Sequence, residues 1–127
     1  DAKLEDVTAA VTKTLDTKAM QESDSQMIKR LYGLNPADFA GITLYYPATN
    51  MDAEELLIVQ LQDVSQQETV KAAIESRLET QKNSFEGYGV EQFALLEKSV
   101  VDVEGNYVLF VVNEQAAKAQ SAFLQAL

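Results

Sequence analysis

The chain has 127 residues, twenty acids against ten bases for a formal charge of −10, and neither cysteine nor histidine. The charge repels phosphate backbones and anionic lipid headgroups, so nucleic acid and acidic membranes are excluded as expected partners. Without Cys or His there is no thiol nucleophile, no Ser-His or Cys-His pair, no usual zinc set and no ordinary proton shuttle near neutral pH.

A length of 127 residues fits one domain that buries about two-thirds of its unfolded surface. Hydrophobic residues at 46% and charged ones at 24% are those of a folding globular chain. No apolar run reaches the roughly 18 residues that a spanning helix needs. The start at Asp1 rather than Met carries the expectation of an upstream segment.

In chain order, Leu4, Val7, Ala10, Val11 and Leu15 recur at spacings of three and four and predict a helix over 4–15. After the polar stretch QESDSQ, Ser23 or Asp24 caps a second, shorter helix. Its apolar face is Met27, Ile28, Leu31 and Tyr32, and it stops at Gly33 before Asn35-Pro36. GITLYYP and ELLIVQLQD are rich in β-branched and aromatic residues and predict two strands joined by the connector ATNMDAE. Ser65 and Glu68 have capping-box spacing ahead of Val70, Ala73, Ile74, Arg77, Leu78, Gln81 and Phe85, which predicts a long helix over 65–85. The segment 93–103 alternates imperfectly and is read as a third strand. VEGNYVLFVVN predicts a hairpin turning at Gly105-Asn106, and Asn113 caps a last helix carrying Ala116, Ala117, Gln120, Phe123, Leu124 and Leu127.

The resulting order, two helices and then ββαββα, predicts an α+β domain over 1–127 with a four-stranded antiparallel sheet and helices packed on it. Residues 1–19 supply the N-terminal helix and 20–127 the core. Residues 41–85 and 93–127 each read hairpin then helix, a repeat of architecture without a shared motif. Both faces of the predicted strands are apolar: Leu56 and Ile58 against Leu57 and Val59, Val108 and Phe110 against Leu109 and Val111. Either one sheet face stays open and forms an interface, including a homodimer through that face, or the N-terminal helices cover it and make three layers.

The stretch NSFEGYGVEQF (83–93) ends the long helix. Phe85 continues its apolar stripe and Gly87 stands where a left-handed terminating residue belongs. Tyr88, flanked by Gly87 and Gly89, either packs over the sheet edge or stands beside a groove and meets a partner. Arg77 and Gln81 interrupt the same stripe one turn apart. A buried arginine needs a carboxylate, for which Glu75 or Asp102 is the expected partner; otherwise Arg77 sits at the rim with only its stem covered, and in a functional version it binds an anionic ligand with Tyr88 stacking nearby.

The run ESDSQMIKRLYGLNPADF, the strand ending in QLQD, then VKAAIESRLETQKNSFEGYGVEQ and VVDVEGNYVLFVVNE together resemble an uncharacterised domain family of secreted or lipid-anchored proteins from Gram-positive bacteria. The resemblance covers about Met20 to Phe123. It rests on an arginine and glutamine on the long helix followed by an aromatic and a tyrosine (Arg77, Gln81, Phe85, Tyr88), with a glycine-tyrosine hairpin (Gly105, Tyr107). Where the family pattern places a proline, this chain has Val90 after Gly89, so a looser loop is expected. The resemblance implies an extracytoplasmic domain tethered through a lipid-modified cysteine upstream, and it implies no activity.

Paired carboxylates are the remaining catalytic apparatus: Asp52, Glu54 and Glu55 near the first hairpin loop, Asp102 and Glu104 near the second. A hydrolase acting on cell-envelope polymer would need two of them a few ångströms apart across a cleft, and no spacing in the sequence places such a pair. Asp102, Glu104 and Asn106 alternate as in a calcium loop but lack its closing bidentate glutamate. The expectation is therefore a non-enzymatic binding or scaffold domain for a protein or envelope component. It has no cofactor and no metal, and Arg77, Gln81, Phe85 and Tyr88 are its candidate binding residues. The alternative is the carboxylate-dependent hydrolase.

Overall fold

The computed structural model describes residues 2–127. Its elements are α1 (Leu4–Thr12), β1 (Met20–Glu22), α2 (Ser25–Tyr32), β2 (Gly41–Pro47), β3 (Glu55–Gln60), α3 (Gln67–Phe85), α4 (Val90–Glu97), β4 (Val100–Glu104), β5 (Tyr107–Val112) and α5 (Ala116–Ala126). The five strands form one sheet in the order β1-β2-β3-β5-β4, with every neighbouring pair antiparallel. Single 3-10 turns at Pro36–Asp38 and Val64–Gln66 lead into β2 and α3.

Alternation along β3 and β5 decides the layering. Leu56, Ile58, Leu109 and Val111 point to one side, where Val7 and Val11 of α1 and Ala119 and Phe123 of α5 bury them. Leu57, Val59, Val108 and Phe110 point to the other, against Ile28 of α2, Val70 and Ile74 of α3 and Leu96 of α4. Full burial of such side chains contributes about 1.5–3 kcal/mol each. Strands apolar on both faces belong between two helical layers, so of the two arrangements open from the sequence the three-layer one is found. Both faces of β3 and β5 are covered, and no open central sheet face remains for a second copy.

Three further differences have local causes. The sheet gains a fifth strand, β1, within what reads as a polar stretch. Three residues are too few to show a period, and only Met20 is buried while Gln21 and Glu22 face solvent beside Tyr46 and Tyr45. The predicted strand over 93–103 is found only at its C-terminal end, as β4 from Val100; its first residues belong to α4, whose sequence VEQFALLE is mostly strong helix formers, with Phe93 and Leu96, three apart, turned inward. Helix α1 stops at Thr12 rather than Leu15, because the Thr14 hydroxyl donates to the Val11 carbonyl (2.7 Å) and closes the end.

Other local predictions hold. Asp24 accepts from the Met27 N–H, and Gly33 closes α2 in the left-handed conformation. Gly105 takes φ +57° in the β4–β5 turn, a value that β-carbon sterics disfavour for other residues. The turn is fastened from below: Leu61 N–H donates to the Asn106 carbonyl (2.7 Å) and the Gln67 side chain donates to that of Gly105 (2.7 Å). Asn113 accepts from the Gln115 N–H at the start of α5.

The capping box lies two residues earlier than its spacing suggests, on the 3-10 turn Val64–Gln66 that leads into the long helix. Asp63 accepts from the Ser65 N–H (2.8 Å), and Gln66 reaches back to the backbone of Gln62 and Asp63. The bonds from Ser65, the backbone one foremost, hold the Asp63 carboxyl below its usual range. A lowered carboxyl stabilises the fold above the ordinary carboxylate range, and that stabilisation disappears as pH falls through the folded-state value. Asp63→Ala should therefore lower the thermal midpoint at pH 7, and the gap from the parent should be smaller at about pH 2, well below the ordinary carboxylate value. Circular-dichroism melts at both pH values test this; a gap that is independent of pH removes the carboxylate from the cap.

Candidate functional site

Glu55 opens β3 in phase with Leu57 and Val59, so its carboxylate is aimed into the α2–α3 layer, where it is 1% exposed. Arg77 lies three residues beyond Ile74 on α3 and meets it there. The guanidinium donates from Nε to Glu55 Oε2 (3.1 Å) and from Nη2 to Oε1 (2.7 Å), a two-pronged geometry that suits a carboxylate. The Tyr32 hydroxyl, from the last turn of α2, donates to Glu55 Oε2. Helices α2 and α3 and strand β3 are thus joined at one buried point.

Physical chemistry fixes the protonation of two members. Burial first, then the charge and hydrogen bond of Glu55, raise the Tyr32 hydroxyl well above its usual value, so it stays a neutral donor. Burial works against the charge on Arg77, but the hydrogen bonds and charge of Glu55 outweigh it and raise the guanidinium above its usual value. The expected partners Glu75 and Asp102 are not used. Asp102 sits on the edge strand β4 and accepts from the Gln120 side chain (2.8 Å), and the Glu104 carboxyl is raised by its hydrogen bond to Asp102 and by that residue's charge.

Above this network lies a groove of about 570 Å³ between α2, the β2–β3 connection and the C-terminal half of α3. Arg77, Gln81 and Ser84 line one wall as successive members of one helical face, continued by Phe85 and Tyr88. Met27, Arg30 and Leu31 of α2 form the opposite wall, and Tyr46, Pro47 and the loop residues Thr49, Asn50 and Asp52 close one end. All four residues singled out in the sequence, Arg77, Gln81, Phe85 and Tyr88, therefore line one cavity. Arg30 was missed because its place on α2 reads as a solvated face.

Tyr32, beneath the floor, was also missed, and Glu55 was weighed as a catalytic carboxylate but not as the partner of Arg77. Glu55 carried a signal, since a charged residue in phase with Leu57 and Val59 has to lie on a buried face.

Tyr88 is 62% exposed and stacks on the buried Phe85, with ring centroids 5.9 Å apart and planes at 26°. Gly89 makes room for this: a β-carbon there would stand 2.5 Å from Phe85 Cδ1. One face of the Tyr88 ring is backed by Phe85 while much of the ring remains open to solvent. Beside it, Met51 (71% exposed) and Val90 (77% exposed) line a second depression with Phe85 and Tyr88, so the groove runs into an apolar rim.

Of the carboxylates considered for catalysis, Asp52 alone lines the groove, and it accepts from the Thr49 hydroxyl (2.9 Å). Glu54 points away into a recess with Glu91, Lys98 and Glu114, and its Oε1 is buried without a hydrogen-bond partner among the described residues. Among the described residues, no group of three or more acidic side chains is placed to hold a metal ion.

A family model described as a domain of unknown function (DUF4358) matches residues 13–113, a span that contains every element framing the groove. The chain belongs to this family. No curated protein and no solved structure matches it.

The network makes a quantitative prediction for this DUF4358 member. Arg77→Leu strands the Glu55 carboxylate in the interior and should cost about 3–5 kcal/mol of unfolding free energy. Glu55→Leu combined with Arg77→Leu should recover most of that loss, and Tyr32→Phe should cost about 1–2 kcal/mol. Urea denaturation of the single and double variants gives the coupling. A double variant as unstable as the sum of the singles would show that the two charges do not depend on one another.

Proposed function

We propose that this chain is a non-catalytic binding domain, held outside the cytoplasmic membrane on a lipid tether, that takes a protein partner in the groove between α2 and α3. The composition of the groove lining carries this reading. Its residues include both arginines of the chain, Arg30 and Arg77, with Tyr46, Tyr88, Phe85 and Met27, yet none of the chain's eight lysines and twelve glutamates. Protein interfaces are enriched in Tyr, Phe, Met and Arg and depleted in Lys and Glu relative to the remaining surface. On a chain this acidic, such a segregation sets the groove apart from the solvated surface around it.

The exposed Met51, Tyr88 and Val90 extend the same surface as an apolar rim, a feature associated with protein interaction sites. The disposition of the carboxylates favours binding over acid–base chemistry. Glu55 is committed to Arg77 and Tyr32, which leaves Asp52 as the groove's remaining carboxylate, whereas hydrolysis between two carboxyl groups needs a matched pair. The extracytoplasmic placement rests on the resemblance carried by Arg77, Gln81, Phe85, Tyr88, Gly105 and Tyr107.

A photo-crosslinking amino acid placed at Tyr88, in the cells that make the protein, should yield a discrete protein adduct. The same probe at the exposed Lys118 on α5, on the far side of the sheet, should not. Equal adducts from both positions, or none from Tyr88, overturn the groove as a protein site. Protease added to intact cells should degrade the domain; complete protection would place it inside the membrane barrier instead.

A further inference from the structure

We propose, on the basis of the protein-binding reading above, that the groove takes an extended peptide segment with one carboxylate side chain next to an apolar one. The carboxylate docks on the two arginines and the apolar side chain on the rim formed by Met51, Tyr88 and Val90. Charge complementarity identifies the first half of this ligand. Arg30 forms no ion pair among the described residues, and the guanidinium of Arg77 gives Nε and Nη2 to Glu55 while Nη1 is not bonded to that residue. An arginine with open N–H groups recognises a carboxylate through short, charge-assisted hydrogen bonds. Arg77 is compensated by Glu55 beneath it, and the single acid in the lining, Asp52, is bonded to Thr49 rather than to an arginine, so Arg30 is the charge in the lining that an incoming carboxylate pairs with, beside the free edge of Arg77.

The rim identifies the second half. Met51 and Val90 are among the most exposed large apolar side chains, and they meet Tyr88 around one depression that opens beside the groove. Flexible methionine and an aromatic ring with an open face suit an aliphatic or aromatic peptide side chain better than the hydroxyl-rich edge of a sugar. The net charge of −10 sets the limit on acidity. Salt screens charges beyond roughly 8 Å, so one carboxylate seated at the arginines feels mainly its immediate neighbours, while a run of acids would lie within that distance of the acidic surface around the groove and be repelled.

The test uses small blocked peptides as probes: N-acetyl-Leu-Asp-amide, N-acetyl-Leu-Asn-amide and N-acetyl-Leu-Lys-amide, with glucuronate as an acidic sugar. Each is titrated into the nitrogen-15-labelled protein while amide chemical shifts are followed. The Asp peptide should saturably shift the amides of Arg30, Asn50, Gln81 and Tyr88, with an apparent Kd at least about tenfold below that of the Asn peptide. The exposed-site variant Arg30→Gln should bring the Asp peptide to the level of the Asn peptide, and Met51→Ser should weaken both peptides together.

Equal binding of the Asp and Asn peptides at the groove overturns the carboxylate requirement while leaving the groove a peptide site. Preferential binding of glucuronate, or no shift at the groove with any peptide, overturns this proposal and the protein-binding reading with it.

Discussion

A charged group inside a protein has to be matched, and the pairing of Arg77 with Glu55 is the constraint around which the rest of this molecule is arranged. The two charges belong to elements that are neighbours in space but 22 residues apart in sequence, and Tyr32 brings in a third element from a further 23 residues upstream. The attraction holds only if β3 keeps its register. A slip of one residue would turn Glu55 to the opposite face of the sheet, toward α1 and α5, where the core is aliphatic and aromatic and holds no base. The pair thus penalises the wrong register more than it rewards the right one. This is the role for which buried polar groups are best attested, since their net contribution to stability is small beside a well-packed apolar alternative.

The same network sets the electrical character of the groove above it. Burial and Glu55 together keep Tyr32 protonated, while the hold of Glu55 on Arg77 outweighs burial and keeps the guanidinium charged, so neither group changes state across the neutral pH range. The floor of the groove is a compensated ion pair rather than a bare cation, and Arg30 on the opposite wall supplies the uncompensated charge. A floor fixed by three convergent hydrogen bonds needs no ordering when a partner arrives, which spares part of the entropy that association normally costs. The rim is different in kind, because Met51 on the β2–β3 connection is an exposed, unbranched side chain that can repack against what lies on it, while Val90 at the entry to α4 offers a fixed apolar edge.

Legibility from the sequence followed the length and periodicity of each element. The long helix, both hairpins, α2 with its Asp24 cap and Gly33 stop, and the last helix were all readable, because each has a helical stripe, a run of β-branched and aromatic residues, or a turn residue with a steric reason to be there. The strand β1 was not, since three residues carry no period and its pairing with β2 is a tertiary fact. Residues 93–97 read as strand for the opposite reason: Leu95 and Leu96 are adjacent, so apolar residues fall on both helical and strand templates, and packing of Phe93 and Leu96 against the α3 layer decides between them. Arg77, Gln81, Phe85 and Tyr88 could be grouped from spacing on one helix. Their opposite wall, Arg30 and Tyr46, comes from elements whose proximity is set by the fold, and local sequence carries no trace of it.

Why there is a groove at all follows from unequal helix lengths in one layer. Helix α3 has 19 residues and crosses the sheet, while α2 beside it has eight and ends at Gly33 as soon as Tyr32 has reached Glu55. At about 1.5 Å per residue the shorter helix covers less than half the length of the longer one, so part of the sheet end near Tyr46 and Pro47 has no helix above it. The β2–β3 connection fills only some of that gap, held by the Gln92 side chain, which accepts from the Ala53 N–H (2.7 Å). What remains open is bounded on the floor by a residue that cannot move without stranding a buried charge. A cavity left by incomplete layering is ordinarily lined at random. This one gathers both arginines and is bordered by an exposed, stacked tyrosine, which is the physical reason to regard it as a site rather than a packing defect.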